Sequence, residues 1–118
     1  MSTHNLLNLS VEILVSEPWE FGTECGVGPF GGIIIDATAE KLLILLSKPI
    51  TYSGKTLHTV AARPRHVGDT PEAVMTKRLS ANFMLLPQQI DSIAKLQPDV
   101  TRDGVAAIGT IERPRASN

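Results

Sequence analysis

Apolar residues in this chain come in short, often β-branched runs bounded by glycine and proline, a pattern that predicts strands more than helices. Val11 to Val15 reads as a first strand. Gly32 to Thr38 and Lys41 to Lys48 are two further runs joined by Ala39-Glu40, a connection that suits a hairpin but lacks the Asn-Gly or Asp-Gly of the favoured tight turns. Ile33, Ile34 and Ile35, and then Leu42, Leu43, Ile44, Leu45 and Leu46, follow one another without alternation. Both faces of these strands are therefore expected to be covered, as in central strands of a sheet that curls on itself or lies under helices. Pro49-Ile-Thr-Tyr52 continues to a turn at Ser53-Gly54, and Lys55 to Ala62 reads as a strand that ends at Pro64, with Leu57, Thr59, Ala61 and Arg63 on one face.

Thr70-Pro71 is a helix start, because the threonine hydroxyl caps free N–H groups and proline at the first helical position has no N–H to lose. Val74, Met75 and Leu79 then fall at helical spacing within Glu72 to Leu79. Ala81 to Leu86 is a strand stopped by Pro87, after which Ile90, Ile93, Ala94 and Gln97 share one helical face, Asp91 and Lys95 pair at i,i+4, and Pro98 ends the segment. Asp103-Gly104 is the strongest hairpin signal, joining Val100-Thr-Arg to Val105 through Ile111. The elements add up to an α+β, β-rich fold: a small, strongly bent antiparallel sheet or barrel of six to seven strands with one or two short helices. With 118 residues the chain has the material for one core, so residues 1–118 are expected to form a single domain, with 1–8 and 113–118 frayed.

Composition narrows the class. An apolar content of 42 % with 19 % charged residues fits a folded globular chain, and a single cysteine cannot form an internal disulfide, which points to a reducing compartment and a cytoplasmic location. The N-terminus has neither a basic nor a long apolar stretch, and the run Leu42 to Leu46 is far short of the roughly 20 residues of a membrane helix. Neither membrane nor nucleic-acid binding is expected, the latter because the sequence pI is about 6.3 and aromatics are not interleaved with the basic residues.

Charge is divided unevenly. The first forty residues carry six acids and no lysine or arginine, and the remaining residues carry eleven bases and six acids. The acidic part contains Ser16 to Gly32, which holds the one Trp, the one Cys, two of three Phe and five of nine Gly.

Known motifs break down on their mechanisms. Gly26-Val-Gly28-Pro-Phe-Gly31 matches G-x-G-x-x-G, but a dinucleotide site needs a helix to open there, and an Ile-rich strand follows instead. The expectation is that these glycines serve tight turns and positive-φ positions. Gly54-Lys55-Thr56 ends like a phosphate-binding loop, yet Pro49 stands where the first glycine belongs, and a hairpin turn is the better reading. Cys25 with His58 or His66 has no local support as a nucleophile pair, and one Cys with three scattered His offers no zinc spacing. No cofactor is implied.

Two candidate surfaces stand out. Trp19 and Phe21, flanked by Glu17, Glu20 and Glu24, form an acidic-aromatic segment of the type that anchors interfaces, or else a plug over the barrel mouth. Arg63-Pro-Arg65-His66-Val-Gly68-Asp69 sets two guanidiniums two residues apart on an extended stretch, suited to gripping a phosphate or carboxylate, or to pairing with the acidic segment. Three functions follow as expectations. The first is a non-enzymatic intracellular module that recognises another protein through the acidic-aromatic loop, like an inhibitor or immunity protein. The second is a small-anion or nucleotide-binding domain with a pocket formed by loop 16–32 and Arg63, Arg65 and His66. The third is a small hydrolase or isomerase using a Glu and His66.

Overall fold

In the computed structural model the described residues are 6–17, 29–38, 40–52, 54–66, 68–86, 92–93 and 105–113, with backbone only for Glu17, Tyr52, Lys55, Leu85 and 105–107. They form six strands, β1 (Ser10–Glu17), β2 (Phe30–Ala37), β3 (Leu42–Tyr52), β4 (Lys55–Pro64), β5 (Ala81–Leu85) and β6 (Val105–Glu112), with one helix, α1 (Pro71–Lys77), between β4 and β5. Each strand pairs antiparallel with its sequence neighbours, and β1 pairs with β6 to close a barrel. The β-rich α+β barrel expected from the sequence is the fold observed. The second helix expected after Pro87 and the strand before Asp103-Gly104 lie outside the described residues, apart from Ser92 and Ile93.

Closure leaves no free sheet edge along the paired stretches and a narrow interior. A barrel of about eight strands is only just wide enough to be filled by side chains, and six strands leave less room. Val11, Ile13, Ile34, Ile44, Val60, Phe83 and Ile111 fill it, each at most 1 % exposed. Two glycines fit that crowding. A β-carbon on Gly32 would lie 2.7 Å from both Ile44 Cγ2 and the Leu45 carbonyl oxygen, and one on Gly109 would run into the Leu14 carbonyl oxygen. Gly31 is a strand residue without positive φ and with only an ordinary contact to Ser47, so the turn role expected for it is corrected, while Gly26 and Gly28 lie outside the described residues. Positive φ among the described glycines belongs to Gly54, in the β3–β4 hairpin, and to Gly68, ahead of α1.

The β2–β3 connection explains how a hairpin forms without a favoured turn pair. Thr38 N–H donates to the Lys41 carbonyl at 2.9 Å, while Thr38 Oγ1 accepts from the N–H groups of Glu40 and Lys41. The threonine side chain thus does locally what an Asn-Gly backbone does elsewhere.

Helix α1 closes one end of the barrel. Thr70 Oγ1 accepts from Ala73 N–H at 3.1 Å, Pro71 occupies the first turn, and Arg78 takes a left-handed conformation that lets Leu79 N–H reach back to the Val74 carbonyl. That reversal ends the helix at Lys77, two residues before the expected Leu79. Seven residues do not hold a helix in water alone. Burial of Pro71, Val74 and Met75 against the core holds this one. Leu6 packs into the same core, and Asn8 N–H donates to the Ile34 carbonyl, so the fraying expected for residues 1–8 does not include residues 6–8.

A second, smaller cluster lies on the outside of the barrel. Leu43, Ala61 and Met84 are fully buried beneath Leu86 and Ile93. Asp36 fixes the crossing chain, its Oδ2 accepting from Ile93 N–H at 2.6 Å and its Oδ1 from Ala37 N–H at 2.9 Å. This cover accounts for the unbroken apolar run in β3. It reaches only Ile35 on β2, and Ile33 is 41 % exposed, which corrects the expectation that all three isoleucines are covered.

Candidate functional site

Antiparallel pairing of consecutive strands sorts the candidate residues by barrel end. The ends of β1, β3 and β5 share one rim with the starts of β2, β4 and β6; the end of β4, helix α1 and the start of β1 lie at the other. Glu17 closes β1 and Pro29 precedes β2, so the segment 18–28 is anchored at the rim away from the helix. Trp19, Glu20, Phe21 and Glu24, and with them the alternatives of an exposed anchor or a buried plug, lie outside the described residues.

Arg63, Arg65, His66 and Asp69 gather at the helix end, on the strand opposite β1 in the ring. Val60 and Ala62 point into the core, so alternation turns Arg63 outward, opposite Asn82 of β5. Past Pro64 the chain bends, and Arg65 N–H donates to the Ser80 carbonyl at 3.0 Å. Asp69 N–H donates to the His66 carbonyl at 3.2 Å, closing the turn that Gly68 permits. His66 and Arg65 are exposed, and Arg63 and Asp69 half-buried. The cap on Thr70 is where the sequence put it, but the extended stretch expected to carry both arginines ends at Pro64, because the chain bends at Arg65 to bond Ser80.

The structure brings the four corner residues together and leaves Glu17 at the far rim. A pocket shared by segment 16–32 and the arginines, or an acid–base pair of Glu17 and His66, is not assembled by the residues described. His58 starts toward the same rim as segment 18–28, and Cys25 lies outside the described residues.

Among the described residues two buried side-chain polar atoms have no hydrogen-bond partner, Thr59 Oγ1 and Arg63 Nε. Both lie on β4, and neither was singled out from sequence for this reason, because partner loss is set by tertiary packing. At the corner, Arg63 and Pro64 with Leu42, Ala62, Pro71, Val74, Ala81 and Ile111 line a recess too narrow to hold a water molecule. Among the described residues no three His, Cys, Asp or Glu side chains are grouped to hold a metal ion, and no helix is long and apolar enough to cross a membrane. Comparison of the chain with protein-family models, characterised proteins and solved structures gave no match.

Proposed function

We propose that this chain is a small intracellular protein-binding module whose recognition surface is the rim between β1 and β2, where the acidic-aromatic segment containing Trp19 and Phe21 leaves the barrel. The observation that supports this reading is the filled interior: Phe83, Ile13, Ile34 and Ile44 occupy the space that a carrier barrel keeps for its ligand, and α1 closes one end. Recognition then falls to the outside. The acidic-aromatic segment joins β1 to β2 at the rim away from the helix, and loops carried on a rigid scaffold are where recognition residues concentrate.

The test is affinity capture from the protein's own cells with the wild-type chain and with the W19A/F21A double variant, both first shown to unfold at the same temperature. A partner recovered in stoichiometric amount by the wild type and lost by the variant is the expected result. Equal recovery by both removes the rim from consideration.

A further inference from the structure

Arg63 carries a buried donor without an acceptor. Its side chain is half-buried, its Nε is shut off from solvent without an acceptor, and no carboxylate among the described residues pairs with it; the ion pair observed nearby joins Arg78 to Glu112 instead. A guanidinium offers only donors, five N–H groups in a planar fork, and an enclosed donor without an acceptor is destabilising. Folded proteins rarely leave such a group unmet, and one recurring reason is an absent ion or ligand.

We propose that the β4–α1 corner is an oxyanion-binding site centred on Arg63. Once the Arg63 side chain turns outward from its enclosed position, a phosphate or carboxylate seated side-on against the guanidinium supplies the acceptor that Nε lacks and takes a second bond from a terminal nitrogen, the geometry that makes arginine the usual partner of planar and tetrahedral oxyanions. Three features build the site around that contact. Asn82 faces the same side in register on β5 and offers amide donors. The bond from Arg65 N–H to the Ser80 carbonyl fixes the bend of the chain at this corner, where Arg65 is exposed. The His66–Asp69 turn holds an exposed imidazole at the same corner. The site stands at the opposite end of the barrel from the β1–β2 rim, so it does not depend on the partner proposed there.

The experiment is ¹⁵N NMR of the full chain during separate additions of sodium phosphate, sodium acetate and, at matched ionic strength, sodium chloride. The Arg63 Nε–Hε signal and the Gly68 and Asp69 amides are the reporters. A saturating shift with phosphate or with phosphate and acetate, absent with chloride, is expected. Phosphate alone points to a free or esterified phosphate as the natural occupant, and both together to a carboxylate side chain of a partner. R63Q is expected to weaken binding at least tenfold and R63K, which keeps the charge and loses the fork, nearly as much; R65Q, at an exposed position, weakens it less. Shifts that rise linearly with all three salts, or R63Q binding like the wild type, overturn the proposal, and the wild-type titration decides it even if R63Q does not fold.

Discussion

The seam that closes the barrel gives the sharpest test of how it is held together. Gly109 of β6 lies opposite Val15 of β1, and its φ is not in the left-handed region, so alanine meets no backbone obstacle there. Its β-carbon does. It would be driven into the Leu14 carbonyl oxygen and lie 2.9 Å from the Leu14 carbonyl carbon and from Val15 Cα. These are backbone atoms of a paired strand and cannot rotate aside, so β1 and β6 must part. Overpacking of this kind costs about 1–3 kcal/mol or more, and each ladder hydrogen bond stretched by the separation adds about 1 kcal/mol. Alanine's restricted unfolded state returns only about 0.4–1 kcal/mol. The net expectation for Gly109→Ala is a loss of about 3 kcal/mol, a large part of the roughly 5–15 kcal/mol that stabilises a domain, and a melting temperature lower by on the order of 10 °C.

Gly31→Ala is the control, because a β-carbon there lies 3.6 Å from Ser47 Oγ, an ordinary contact, and stability should stay level or rise by about 0.5 kcal/mol. Urea unfolding followed by far-UV circular dichroism on the three proteins measures both changes. A Gly109→Ala protein within 0.5 kcal/mol of wild type, on the scale of ordinary surface substitutions, would refute the close approach and with it the β1–β6 register.

Three further outcomes follow from single interactions. Thr59→Val removes a fully buried hydroxyl without a partner and keeps the shape, so it should stabilise by about 1 kcal/mol; a loss of that size in the same urea assay would mean the hydroxyl is bonded. Thr70→Ala removes the acceptor for Ala73 N–H and should cost about 1 kcal/mol, with no change in the unfolding midpoint counting against the cap. Asp36→Asn leaves one acceptor for two backbone donors and should cost about 1–2 kcal/mol while raising hydrogen exchange at Ile93; unchanged exchange there would show that Leu86 and Ile93 hold the outer cover without it.

Strand positions were legible because strand content in this chain is written in contiguous β-branched runs, and the cap at Thr70 because capping is a local device. What local reading could not supply was the distance between non-local atoms. Gly32 and Gly109 look like flexible residues in sequence, and only the pairing of Gly32 with Leu46 and of Gly109 with Val15 shows that they are there because a side chain has no room. Ile33 follows the same logic in reverse. The run containing it is apolar throughout, yet among the described residues the outer cluster that includes Leu86 and Ile93 packs against Ile35 and leaves Ile33 exposed.

The placement of the charged segments turns on the parity of the strands. Six acids at the front of the chain and an arginine pair in its middle suggest mutual attraction, and on electrostatics alone they are natural partners. In a barrel of consecutive antiparallel strands, however, every odd strand ends at one rim and every even strand at the other. The acidic segment follows the first strand and the arginines end the fourth, so parity sends their anchors to opposite rims before any charge is considered. An exposed ion pair contributes only about 0–1 kcal/mol, far too little to reorder strands whose inward faces bury Ile13, Ile44 and Phe83 at roughly 1.5–3 kcal/mol each. Topology fixed by the core therefore sets where the charges are anchored. Arg63, with Glu17 at the far rim, keeps a buried Nε without a hydrogen-bond partner, the observation on which the proposed oxyanion site rests.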